Sequence, residues 1–586
     1  MTPPPCSSKE RRLWIILVVA AYTLRLIHLG HRAMSHDESL HAIYSWYLSN
    51  GLNYHHDPMM HGPLLFHLNA LIYTLFPVND FTSLLFPAFW GTACVGILFL
   101  YRRWLGIAGA LCAAVFIAIE PALSFYSRYL RNDIMVAFFT LLMVWAILDY
   151  RETQKSRSLL WLAIGLALQF ITKETCFIVG AVLGSACVFF ALFDRHDGSE
   201  KNGLILLLRH PLIHCALLML FLALPFAGAL LLPLFDWDPL DTHTRLGQNR
   251  IFGVAGVIYL LCTSLGATYF FTQKKLNTFG LALGLFWGIQ LLFYSTLLTN
   301  IHQGMASGLA GSLGYWLAQH DVQRGNPDPF FYLTLLLLYT PVLLLTALLS
   351  ARHLRRWPMP FLWWWSIGSF LIYSWAGERM PWLVLHITLP LCLIAGTQLP
   401  ALLASPGRKF LKTILVLGCF QLICNSLRLN GPHSEGATEP MVFAHSGPHI
   451  KTSLLLITEQ LQKHPDNVVS LDNAFTWPMA WYFRETATSY TENLTPDLVL
   501  ENSTIALIKP SEEIAFQDAG WTSRMSVDMI NWPRPDYHKI DLENIDGVMR
   551  IPSVRKKFFK YYLFRDQPEW GVNEWPAPNR YILMTR

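Results

Sequence analysis

The chain has 586 residues, of which 53% are hydrophobic and 14% charged, and its net charge is +5. The apolar excess, a mean hydropathy of +0.35, excludes a soluble or disordered protein for most of the length. The charge is too mild for a nucleic-acid binder, and the ten cysteines, none beyond Cys424, make neither a disulfide framework nor a CxxC metal motif.

Apolar stretches long enough to cross a bilayer recur down to residue 427. About thirteen spans are predicted, over 13–30, 82–101, 105–125, 134–150, 158–172, 175–193, 212–234, 251–271, 278–299, 330–350, 361–376, 381–403 and 410–427. The run 63–76 is too short to count and reads as a helix lying in the interface or entering partway. Lys9, Arg11 and Arg12 precede the first span as they would a secretory signal, but Arg25 within it and the lack of a small-residue cleavage site make it a permanent anchor. About nineteen Lys and Arg fall in one alternating set of connections and about eight in the other, which is Arg32, Arg128, Arg131, Lys173, Arg245, Arg250, Arg324 and Arg379. The positive-inside rule then puts the amino terminus in the cytoplasm, and an odd span count puts the carboxyl terminus outside. The expected fold is mainly α: a polytopic transmembrane helical bundle over 1–429, with 31–80 as its first outer loop, and a small extracytoplasmic α/β domain over 430–586.

The polar groups of the outer connections come in clusters. Ser35 followed by Glu38 is a capping-box pattern that starts a helix over about 36–49. In that reading Asp37 only complements the helix dipole; in a second, compatible reading Asp37 is a general base on a rigid mount. Next comes Tyr54-His55-His56-Asp57-Pro58-Met59-Met60-His61-Gly62-Pro63. His55, His56, Asp57 and His61 are ligand types for a divalent metal, though at no recognised spacing, and they serve equally as hydrogen-bonding groups at an interface. In Ser127-Arg128-Tyr129-Leu130-Arg131-Asn132-Asp133 the two arginines are three apart, so on a helix they share a face and hold a phosphate or simply snorkel. Lys173-Glu174, between two close spans, is either an outer turn or a charged pair facing a cavity. Gly304, Gly308, Gly311 and Gly314 fall at helical spacing and predict close packing. Tyr315-Trp316 follows, then a polar run to Gly325 that includes Arg324. In Glu378-Arg379-Met380-Pro381-Trp382, Pro381 fits the first position of a helix that puts His386 one turn in, with Arg379 at its positive end.

The tail changes character. Charged residues, Pro and Asn become frequent, and short apolar runs such as Asn467–Leu471 and Thr504–Ile508 alternate with helical stretches such as Thr452–Lys463. Two sequons begin at Asn493 and Asn502.

Asp37-Glu38 after the first span, Arg128 to Asp133 in the next outer loop, and roughly a dozen spans together resemble the GT-C glycosyltransferases, which include the protein O-mannosyltransferases and aminoarabinose transferases. His36-Asp37-Glu38-Ser39, the run Asp57 to Pro63, Tyr315-Trp316, Gln323-Arg324-Gly325 and Glu378 to Trp382 are similar to a prokaryotic subfamily often labelled flippase-associated. The resemblance covers the membrane region and, more loosely, the tail. It implies a polyprenyl-phosphate-linked sugar donor, chemistry on the outer face of the cytoplasmic membrane, and a glycan, lipid or protein acceptor. It implies that Asp37 is the leading catalytic acid residue and Asp133 a second candidate. Arg128, Arg131, Lys173 and Arg379 are then the candidate cations for the donor phosphate. Glu38 or Asp133 orients hydroxyls, and Glu174, Glu378, His61, His386 and Arg324 are further candidate substrate contacts. The family holds metal-dependent and metal-independent enzymes, so a divalent metal is left open. The absence of a WWDYG signature argues against transfer of a whole glycan to protein asparagine. The competing classes are a lipid-linked-sugar flippase, whose ionisable groups belong near the midplane rather than at span ends, and a noncatalytic component of a glycan assembly complex.

Overall fold

The computed structural model describes residues 6–52, 54–194, 203–320, 329–431, 434–436, 439–529, 550–565 and 579–586. Helix occupies each of the thirteen predicted spans. Among the described residues eight helices are long and apolar enough to cross a membrane, and the bent pair Phe331–Tyr339 and Pro341–His353 makes a ninth if taken as one span. The other four are Ser8–Leu26, which carries five charged residues, and the shorter Ile107–Ile119, Ser156–Phe170 and Met359–Trp375. The short run 63–76 is the helix Leu64–Leu75.

Two predicted spans are broken, and proline is the cause in both. A proline has no N–H to donate and pushes the residue before it out of the helical region. Thr340, before Pro341, lies at φ −134°, and the two halves of that span meet at 97°. Glu120, before Pro121, is extended and accepts from the Leu123 N–H at 2.6 Å, so it caps the short helix Pro121–Tyr126.

The helix Asp133–Thr153 is the centre of the bundle: 89% of its apolar window is buried, against 22% for Arg245–Thr272, Leu276–Tyr294 and Lys409–Asn430. A face that stays apolar and uncovered along a whole span belongs against lipid, so these three helices form the periphery. The four glycines at helical spacing do pack closely. A Cβ on Gly304 would lie 2.0 Å from the Tyr294 carbonyl oxygen, and one on Gly308 would lie 2.7 Å from the Tyr294 ring.

The described residues of the tail form a five-stranded mixed sheet in the order β2-β1-β3-β5-β4, with β1 Val469–Asp472, β2 Thr488–Thr491, β3 Ile505–Ile508, β4 Thr522–Met529 and β5 Asn579–Thr585. β1 pairs in parallel with β2 and β3, and β5 pairs antiparallel with β3 and β4. The buried strands β1 and β3 fall on the two short apolar runs of the tail, and Ile450–Lys463 covers the helical stretch expected over 452–463.

This domain is fastened to the bundle by buried charge. The Glu439 carboxylate, fully buried, meets Arg428 Nε at 2.8 Å and Arg565 Nε at 3.4 Å and also accepts from the Tyr339 hydroxyl. Removing one member of a buried ionic cluster strands the others. Glu439→Ala should therefore lower stability by about 3 kcal/mol or more, read as a drop in the thermal midpoint of the detergent-purified protein. The domain also sits on the first loop: Trp481 Nε1 and the Tyr482 hydroxyl donate to Asp80 at 2.8 and 3.0 Å, and the Met34 N–H donates to the Tyr482 oxygen at 2.8 Å. The Trp477 ring lies 6.0 Å from that of His36.

Candidate active site

The predicted capping box is present. Ser35 Oγ accepts from the Glu38 N–H at 3.3 Å, and Glu38 Oε2 accepts from the Ser35 N–H at 3.0 Å, starting the helix His36–Ser49. The same carboxylate is held by Arg32 and accepts from the Leu130 N–H at 3.0 Å. The Ser35 and Tyr129 hydroxyls bond at 2.6 Å. Glu38 is thus fully buried and its oxygens are occupied, so it does not orient a substrate hydroxyl as expected; it ties the first loop to the segment 127–132. That tie brings Asp37, one residue before it, against Arg131.

The segment 127–132 is a series of turns, with one helix ending at Tyr126 and the next starting at Asp133. A spacing of three therefore does not put Arg128 and Arg131 on one face, and the two side chains part. Arg131 pairs through Nη1 with Asp37, lies 3.6 Å through Nε from Asp133 Oδ2, and stacks 3.6 Å over the centre of the Trp382 ring. A guanidinium suits this place because its planar fork can serve two carboxylates and an aromatic face together.

Asp133 is also held by Lys173, whose Nζ stands 2.8 and 2.9 Å from its two oxygens. Lys173 is presented by the five-residue turn 171–175 between two short spans. Asn132 Nδ2 donates to the Thr172 carbonyl at 2.5 Å, and the Gly62 and Leu64 N–H groups donate to the Thr172 and Ile171 carbonyls at 3.1 and 3.0 Å. Gly62 is needed for this docking, since a Cβ there would meet Ile171 C and O at 2.3 Å. Gly62→Ala should cost about 1–3 kcal/mol and misplace His61, measured as a lower thermal midpoint.

His61 Nδ1 bonds Glu174 Oε2 at 2.8 Å, and its Nε2 lies 3.3 Å from Arg131 Nη2. His386, stacked on Tyr373 with ring centres 5.4 Å apart, places Nε2 3.6 Å from Asp133 Oδ1. Beside these groups is a cavity with about 420 Å³ of empty volume, including the part open to the surroundings, lined by His61, Arg131, Lys173, Glu174, Glu378 and Trp382, with Trp316 and Tyr373 also on its walls. Two cations and two carboxylates on aromatic walls can bind a polar, phosphate-bearing molecule.

The charges follow from the pairing. Burial alone would raise the Asp37 carboxyl, but Arg131 and then His36, His41 and His61 outweigh it and hold it below the usual carboxylate range. Burial likewise would raise Glu174, and His61 reverses that. Burial and the nearby Arg131 pull His41 down to about 3, so this ring beneath Asp37 is neutral. Asp37 is anionic and keeps the most access of the paired carboxylates, its side chain being 24% exposed against 1% for Asp133.

The four candidate metal ligands of the His-rich run do not come together. His56 Nδ1 bonds the Ser307 hydroxyl at 2.8 Å and Nε2 the His61 carbonyl at 3.0 Å, while Asp57 caps the turn Pro58–Met60. Burial lowers His56 to about 4, which suits this structural place. His55 and its neighbours do not converge, and among the described residues no group of three or more His, Cys, Asp or Glu is placed for a metal ion. The Arg131 guanidinium takes the place between Asp37 and Asp133.

Of the remaining predicted residues, Arg379 donates from Nε to the Ser374 carbonyl at 2.8 Å, and it is its neighbour Glu378 that lines the cavity. Arg324 lies outside the described residues. Arg128 lines a different cavity. Sequence reasoning passed over Arg32 and Tyr373. Arg32 could have been found as the basic residue nearest the capping box, whereas nothing marks Tyr373 within an aromatic-rich span.

Residues 60–228 match the family described as dolichyl-phosphate-mannose-protein mannosyltransferase. No curated protein matches the chain. Among solved structures the chain shares the fold of the archaeal oligosaccharyltransferase AglB from Archaeoglobus fulgidus, solved with an inhibitory peptide and a dolichol-phosphate. The identity is 12%, the coverage 99% of this chain and 88% of that one, and the TM-score 0.51. ArnT from Cupriavidus metallidurans, bound to undecaprenyl phosphate, matches at 12% identity over 86% of this chain and 94% of that one, with a TM-score of 0.43. The S. cerevisiae protein O-mannosyltransferase Pmt1-Pmt2 complex bound to the sugar donor matches at 20% identity over 46% and 35%, with a TM-score of 0.31.

Proposed function

We propose that this chain, a multi-pass membrane glycosyltransferase of the GT-C superfamily, transfers a sugar from a polyprenyl-phosphate-linked donor to an acceptor hydroxyl or amine, with Asp37 as base. The observation that carries the reading is the pairing of Asp37 with Arg131, a cation that itself lines the cavity beside Lys173. The site lies at the end of the bundle covered by the tail domain, and the charge asymmetry of the connections supports an extracytoplasmic position for that end.

The donor phosphate binds Arg131, with Lys173 behind it, and its prenyl chain runs into the lipid between spans. Phosphate on the guanidinium competes with Asp37 for Arg131 and so leaves the carboxylate free for the acceptor. The acceptor heteroatom attacks the anomeric carbon as the bond to the phosphate oxygen breaks, and Asp37 takes the acceptor's proton. The configuration at that carbon inverts in this single displacement. Negative charge grows on the departing phosphate, where Arg131 already stands, so this contact strengthens in the transition state. Trp382 and Trp316 give the sugar ring apolar faces, and Glu378 and His61 offer hydrogen bonds to its hydroxyls.

The test is sugar transfer by the purified protein from a radiolabelled polyprenyl-phosphate sugar, run beside a liposome assay for donor translocation. Transfer to an acceptor without translocation supports the reading. Translocation without any transfer contradicts it and supports a flippase.

A further inference from the structure

Arg128 stands apart from the transfer cavity. Its Nη2 donates to the Ile27 carbonyl at 2.6 Å, at the end of the helix Ser8–Leu26, and its Nη1 to the Asn430 carbonyl at 3.3 Å, at the end of Lys409–Asn430. The side chain so bridges the ends of two spans. Around it is a second cavity, with about 840 Å³ of empty volume including the part open to the surroundings, lined by His28, His31, Arg32, Phe125, Arg128 and Asn430 among others. It has no lining residue in common with the transfer cavity.

The charge lining the cavity is mainly positive. Four of the lining side chains are His or Arg, and among the described residues none is a carboxylate, the nearest being Glu38 on Arg32 and Glu435, which accepts from the Ala33 N–H at 3.1 Å and acts on Arg32 and His31. Arg32 is neutralised by Glu38, but among the described residues Arg128 pairs with no carboxylate and rests on carbonyl dipoles alone. Burial, and then the neighbouring charge of Arg32, lower Arg128 to about 10. A half-buried cation without a counter-charge is costly, and an anion in the cavity offsets that cost. The exposed rings of His28 and His31 stand at the rim, 5.9 Å apart, as further donors.

The surroundings indicate where the anion comes from. One turn before the cavity, Leu24 and Ile27 are exposed on the first span, as are Ile423 and Leu427 on the other, with Phe81 also exposed nearby. Side chains of this kind at the end of a span face hydrocarbon. A ligand with its charge on Arg128 and its chains along these residues satisfies both surfaces, whereas a free anion uses only the first. We infer that this cavity binds the phosphate of an anionic lipid, with Arg128 as the charged contact and His28 and His31 as donors at the rim, separately from the transfer cavity.

Native mass spectrometry of the full-length protein tests this, with phosphatidylglycerol, phosphatidylcholine and a polyprenyl phosphate added in turn. An Arg131→Gln background weakens the transfer cavity's own hold on phosphate, leaving there only Lys173, which is paired with Asp133, so failure here is distinguishable from failure of the proposed reaction. In that background one phosphatidylglycerol or polyprenyl phosphate should be retained well in preference to phosphatidylcholine. Adding Arg128→Gln should weaken retention about tenfold or more, while Arg128→Lys recovers part of it. A His28→Gln, His31→Gln double variant, altered only at exposed rings, should give a smaller loss in a protein of unchanged thermal midpoint. Equal retention with and without Arg128 and the two histidines, or equal retention of phosphatidylcholine, overturns the assignment. Displacement by millimolar inorganic phosphate overturns the lipid source.

Discussion

Asp37→Asn should lower sugar transfer by about 10²–10⁴-fold, the usual contribution of a positioned general base, with donor binding preserved. The side chain is isosteric, and the helix that mounts it is capped by Ser35 and Glu38 rather than by Asp37, so the fold should survive. What is lost is the basic, anionic carboxylate oxygen that takes the acceptor's proton. The same assignment fixes a pH dependence. Arg131 first, with His36, His41 and His61, holds the Asp37 carboxyl low, so the anionic base is present above that depressed value and is lost only as the pH falls through it. The acid limb of kcat/KM, which reports the free enzyme, should therefore lie below about pH 4, the ordinary carboxylate value. A limb near pH 6–7 that persists in Asp37→Asn would assign the base to another group.

Arg131→Gln should lower kcat by about 10²–10³-fold, the cost of losing one preorganised donor to a developing oxyanion, and should weaken donor binding as well. Here the two variants differ: Asp37→Asn spares donor affinity, and Arg131→Gln does not. Arg131→Lys should recover little. An ammonium is a point charge, and it cannot hold Asp37, approach Asp133 and lie flat on Trp382 at once. Part of the effect will be structural, because Asp37 loses its partner. Lys173 stays on Asp133, so the thermal midpoint of Arg131→Gln should fall by less than that of Glu439→Ala.

How much of this was legible in the sequence depends on how local each signal is. The capping box at Ser35 and Glu38, the helix after it, the strands over Val469–Asp472 and Ile505–Ile508 and all thirteen helical stretches rest on periodicity and capping within a few residues, and each is present. The convergence of Asp37, Arg131, Asp133, Lys173, Glu174, His61 and His386 was legible only as a list of polar groups at span ends. What joins them is long-range: Glu38 accepting from Leu130, Asn132 donating to Thr172, and Gly62 lying flat on Ile171. The errors have one origin. Arg128 and Arg131 share a face only if their segment is a helix, and it is a turn; Pro341 bends a span that its hydropathy alone draws straight. Glu38, expected to orient substrate hydroxyls, is occupied by Arg32, the basic residue nearest the capping box, and by the distant Leu130 N–H.

The most direct measurement is a structure of the Asp37→Asn protein with a polyprenyl-phosphate sugar bound. The account predicts phosphate oxygens within hydrogen-bonding distance of the Arg131 guanidinium, and the anomeric carbon facing residue 37 with room between them for an acceptor atom. A donor whose phosphate lies away from Arg131, or whose anomeric carbon faces Asp133 or Glu174 instead, would contradict it.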